Sequence, residues 1–231
     1  MRLARTLLLC GFCLPCAMRA QQPDPNLVRE VSAIRTELGR NLAALQHFTW
    51  SAIIEVSVKG DVESAKTYKC RYSPNGELLR MLEETGKEMQ VANGVSKRPR
   101  VRSKADMQDY IERAMTRIYK YVPPDPEQID FLLKNGNASL GASRGSTSEV
   151  RFRNYFDDGD ILVFTYNSAS KSLLSVSVAS TLGTPKDPVT LEAQFEALPE
   201  GINHVSSATL NAPAKKVQIK LRNFMYEKVA D

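Results

Sequence analysis

Histidine is nearly absent from this chain: there are two in 231 residues, His47 and His204. Neither has a cysteine or an acid at metal-ligand spacing, which removes histidine-based zinc sites and most designs that turn on an imidazole base. Both are expected at the surface, one at a helix end and one at a strand edge. Also missing are a phosphate-cradling glycine loop and His-Glu-x-x-His. With no defensible acid–base pair, no catalytic residue, metal or cofactor is expected, and an enzyme ranks behind the binding roles. Beyond residue 20 no run of 18 apolar residues occurs, so nothing there should cross a bilayer as a helix.

What stands at the front of the chain is a secretory layout. Arg2 and Arg5 are followed by an apolar stretch from Thr6 to Met18, and Ala20 offers a small residue before Gln21 and Gln22. Residues 1–20 are therefore read as a signal peptide and residues 21–231 as one domain. Export across the inner membrane of a Gram-negative bacterium, into the periplasm, is the expected destination. Cys10, Cys13 and Cys16 fall inside this leader, and none is preceded by the small residue that a lipoprotein signal needs. Cys70 then stands alone, so the mature domain should rely on its core rather than on a disulfide. The net charge of +5 loses Arg2, Arg5 and Arg19 with the leader and falls to +2. That balance does not argue for a nucleic-acid partner. About 210 residues are ample for one sizeable core.

Periodicity divides the rest. Leu27, Val31, Ile34, Leu38, Leu42 and Leu45 recur at spacings of three and four, an amphipathic helix opened by Pro23 and Pro25. Alternation follows, with Trp50, Ala52, Ile54, Val56 and Val58 facing one way. A second strand, 64–72, has Tyr68, Cys70 and Tyr72 on one side. After the turn Ser73-Pro74-Asn75-Gly76 a third strand returns over 77–83. Met107, Tyr110, Ile111, Ala114, Met115, Ile118, Tyr121 and Val122 then form a helical stripe. Ser103 is its expected N-cap and Pro123-Pro124 its end, and a short helix follows from Asp125 to Asn135-Gly136. Strand patterns fill the remainder to Tyr226, about nine strands in all.

The other features read two ways. Asp157-Asp158-Gly159-Asp160 is too short for a twelve-residue calcium loop and reads as a hairpin turn. Gly141 to Ser146 reads as a mobile loop. The basic run 97–104 suits anionic lipid, an acidic partner or a solvated loop, and lacks the interleaved aromatics of a nucleic-acid site. Asn137-Ala138-Ser139 would accept a glycan only in a eukaryote. Met81, Met89, Met107 and Met115 suit either a core gap or an adaptable apolar pocket.

The order of elements (signal, helix, three-strand meander, helical insertion, long antiparallel run) resembles the periplasmic lipoprotein-localisation fold, LolA/LolB-like. The nearest local echo is Phe48-Thr49-Trp50 entering the first strand. The resemblance implies an α+β fold, a large curved antiparallel sheet forming an incomplete barrel covered by helices. It also implies a cavity for an acyl chain or lipoprotein between sheet and helices. The inward positions Trp50, Ile54, Val56, Tyr68, Phe152, Val176, Leu191 and Phe195, with Met81, Met107, Ile111 and Met115, would line that cavity. An alternative on the same scaffold is a protein-binding or envelope-sensor module with a filled core, meeting an envelope protein or an anionic membrane surface.

Overall fold

The structure, a computed structural model, describes residues 24–85 and 99–229. Helix α1 (Pro25–Leu45) starts where Asp24 accepts the Asn26 amide at 2.8 Å and Pro25 takes the first helical position. The meander follows as β1 (Phe48–Val58), β2 (Asp61–Tyr72) and β3 (Leu78–Thr85). Two more helices, α2 (Pro99–Tyr121) and α3 (Pro126–Lys134), come next. Helix α2 begins at Pro99 rather than beside an N-cap at Ser103, because proline is itself a good first residue and the basic stretch continues the helix. Asp125 caps α3 through the Glu127 amide at 2.8 Å, and Gly136, at φ +71°, closes it.

Seven strands complete the chain: β4 (Ala138–Arg144), β5 (Thr147–Arg153), β6 (Ile161–Asn167), β7 (Leu173–Thr181), β8 (Pro188–Ala197), β9 (Asn203–Ala212) and β10 (Val217–Lys228). All ten strands form one antiparallel sheet in the order β3-β2-β1-β10-β9-β8-β7-β6-β5-β4. Strand β1 is thus joined to β10, with Ile54 opposite Leu221. The sheet does not close, since β3 and β4 are its edges. The fold class expected from the sequence is the observed one.

One strand was not expected. The stretch 141–146 is no mobile loop: β4 pairs with β5 from Ala138↔Phe152 to Arg144↔Thr147. Its Ala-Ser-Leu-Gly-Ala-Ser-Arg sequence lacks alternation because it is an edge strand with most side chains exposed. Gly141 has a steric reason to be there, since a Cβ at that position would lie 2.8 Å from Glu149 Cβ.

The three helices lie on the concave face of the sheet. Their apolar stripes (Val31 and Ile34 of α1, Ala114 and Ile118 of α2, Ile129 and Leu132 of α3) join Phe152, Phe164, Val176, Leu191 and Leu210 in one core. Helix α2 is fixed at its C-terminal end. The buried Tyr121 hydroxyl donates to Asp160 Oδ2, which also accepts the Asp157 amide at 2.9 Å, and Ser180 Oγ lies 3.3 Å from the same hydroxyl. The Asp157–Asp160 turn therefore serves as a packed corner, as the hairpin reading requires.

Candidate ligand-binding cleft

Packing is uneven along the sheet. Over most of β5 to β8 the concave face is filled, with Phe152 and Val176 wholly buried and Leu191 2% exposed, although Leu173 and Phe195 border the cavity. Around β1, β2, β3 and β10 it is hollow. An inner cavity of about 70 Å³ is walled by Leu38, Leu42 and Leu45 of α1, by Trp50 and Ala52 of β1, and by Cys70, Tyr72 and Leu78 across the meander. The i, i+4 and i+7 spacing of the three leucines sets one helix face over this space. Alternation on β1 and β2 turns Trp50, Ala52, Cys70 and Tyr72 to the same side.

Aromatic rings line one end. Trp50 stacks on Tyr226, with ring centroids 5.4 Å apart and planes 14° from parallel, and meets Tyr72 at 5.3 Å. His204 lies 4.2 Å from the Tyr226 ring. It is buried, contrary to the surface position expected from sequence, because β9 begins with four consecutive buried residues and so is covered on both faces there. Its Nδ1 has no hydrogen-bond partner among the described residues. Burial lowers its pKa below the ordinary 6.5. The fold thus prefers the neutral ring, and the associated stability is full above about pH 6.5 and is lost as pH falls through the folded pKa. Urea titrations across that range should show stability falling on acidification. His204→Phe, which keeps the ring against Tyr226, should flatten the profile, and an unchanged slope would assign the effect to other groups.

Outside the inner cavity lies an open groove of about 600 Å³ between α2 and the meander. Ile111, Met115 and Tyr119 face it from the helix, and Ile54, Val56 and Tyr68 from the strands, with Ser64, Lys66 and Gln108 adding polar groups. Three residues, Ile54, Arg80 and Tyr119, border both spaces. Arg80 places its guanidinium carbon 3.8 Å above the Tyr119 ring centroid, a cation–π contact. Burial raises the Tyr119 hydroxyl to about 12 and the Cys70 thiol to about 11, so both stay protonated at neutral pH.

The residues expected at a cavity separate into groups. Ile54, Val56, Tyr68, Ile111 and Met115 line the groove, and Trp50, Phe195 and again Ile54 line the inner cavity. Phe152, Val176 and Leu191 are packed core instead. Met107 is half-buried against that core. Met81 is 68% exposed, because alternation along β3 puts Leu78 and Arg80 on the concave side and Met81 on the other. Met89 lies outside the described residues. Sequence reasoning missed Tyr119 and Arg80. The first continues the i+4 series Ile111, Met115, Tyr119, and the second follows Leu78 by two.

Among the described residues no helix is long and apolar enough to cross a membrane, no group of three or more His, Cys, Asp or Glu could hold a metal, and Cys70 is free and buried. No family model and no curated protein matches the chain. Two solved structures align with most of it. One is a LolA superfamily protein from Nitrosomonas europaea, at 9% identity and a TM-score of 0.46, covering 87% of this chain and 94% of that one. The other is a DUF1329 family protein from Desulfovibrio piger, at 9% identity and a TM-score of 0.44, covering 86% and 93%.

Proposed function

We propose that the protein is an exported carrier that binds lipid acyl chains, free or borne by a lipoprotein, in the cleft between the meander and helices α1 and α2. The supporting observation is that an apolar inner cavity and an open groove share Ile54, Arg80 and Tyr119. A chain laid along Ile111 and Met115 has an apolar destination beside Trp50 and Tyr72. Each methylene buried contributes about 0.8 kcal/mol, so a long chain can offset the cost of widening a cavity as narrow as this one. The cleft offers little for catalysis: its one thiol, Cys70, is held protonated by burial, which favours a binding role over an enzymatic one. The export part of the reading rests on the leader layout of residues 1–20, which lie outside the described residues.

The test is titration with a fluorescent acyl probe. Met115→Trp should narrow the groove and weaken binding about tenfold, since overpacking costs ~1–3 kcal/mol. Met81→Trp, on the opposite face of β3, should leave binding unchanged. If the wild-type protein takes no such probe, the packed alternative holds, a protein-binding or envelope-sensor module. That alternative draws on the filled half of the sheet around Phe152, Val176 and Leu191.

A further inference from the structure

Arg80 and Tyr119 stand where the groove meets the inner cavity, and each has hydrogen-bonding capacity left over. The Arg80 side chain is exposed, and among the described residues no carboxylate lies within 4 Å of it. Because its flat face rests on the Tyr119 ring, the N–H groups along its edge point away from that ring, and these are the donors that meet a planar anion two at a time. The Tyr119 hydroxyl is buried with no partner among the described residues. An orphaned buried hydroxyl is destabilising unless something supplies the missing bond. Beyond the pair, on the side of Leu42, Leu45, Trp50 and Tyr72, the lining is mostly apolar.

Resting on the carrier reading, we infer that the ligand is a single-chain amphiphile with a carboxylate head, a long-chain fatty acid. Its carboxylate is held between the Arg80 guanidinium and the Tyr119 hydroxyl, and its chain occupies the inner cavity. One guanidinium edge and one hydroxyl match the two oxygens of a monoanion, whereas a phosphate dianion would call for more positive charge at this point. Among the described residues, the other cation lining the groove is Lys66. Cys70 is the cross-strand neighbour of Arg80, and Lys66 is four residues further along β2, about 13 Å at the rise of a strand.

The experiment compares cis-parinaric acid with its methyl ester on delipidated protein at low and at moderate salt. The acid should bind about tenfold more tightly, the fold-change expected for a charge-assisted hydrogen bond, and the gap should narrow with salt. Arg80→Gln and Tyr119→Phe should each narrow the gap between acid and ester. Tyr119→Phe keeps the ring and removes only an unpartnered oxygen, so it should fold at least as stably as the wild type. Lys66→Gln should preserve the gap. Equal affinity for acid and ester would overturn the carboxylate inference while sparing the carrier reading. A gap abolished by Lys66→Gln but not by Arg80→Gln would also overturn it. Binding of neither probe would remove both.

Discussion

Phe152→Ala is expected to cost about 3–5 kcal/mol of stability and to leave affinity for an acyl probe where it was. Phe152 is wholly buried on β5. Its ring meets Phe164 edge-on with centroids 5.3 Å apart, and Leu162 lies opposite it on β6. Truncation there opens a void that rigid strands on both sides cannot close. Yet the residue borders neither the groove nor the inner cavity. Urea unfolding measures the first effect, and probe titration of the folded variant the second. Weakened binding, comparable to that of Met115→Trp, would mean that the β5–β8 half of the sheet also receives ligand.

A loss of about 3 kcal/mol is also expected for Asp160→Ala. Asp160 is 2% exposed, and one of its oxygens accepts from both the Tyr121 hydroxyl and the Asp157 amide. Removing the acceptor leaves the buried Tyr121 hydroxyl only Ser180 Oγ at 3.3 Å and deprives the half-buried Asp157 amide of its bond, each loss costing about 1–3 kcal/mol. Asp160→Asn retains a carbonyl oxygen and should recover most of the loss. Thermal unfolding of the two variants tests this. If Asn is as damaging as Ala, the charge rather than the acceptor geometry holds the corner. Because Tyr121 ends α2, the Ala variant should also loosen the helix that carries Ile111, Met115 and Tyr119, and so weaken probe binding.

The sheet was readable because nearly every strand alternates. β8 states its inward face residue by residue and burial follows it from Val189 to Ala193, while on β1 the inward Trp50, Ala52, Ile54 and Val56 are buried but so are Ser51 and Ser57 on the other face. Helices α1 and α3 announce their own starts through Asp24-Pro25 and Asp125-Pro126. β4 was not readable, since an edge strand that buries little has no need of a pattern. The cleft was half readable. Alternation says which side of a strand points inward, but not whether another element already fills that side. Trp50 and Phe152 look alike in sequence and differ only in what packs opposite them. Arg80 is hidden for a related reason: a charged residue on an inward face reads as an interruption until the ring of Tyr119 is seen beneath it.

The joining of β1 to β10 has a consequence for when the hollow half can form. Three strands emerge early, yet the neighbour that completes β1 follows every other strand in the chain. Until it arrives, Trp50 lacks the Tyr226 ring and β1 presents an unpaired edge. Pairings between such distant segments make folding slow. The cleft is complete only once β10 has paired with β1.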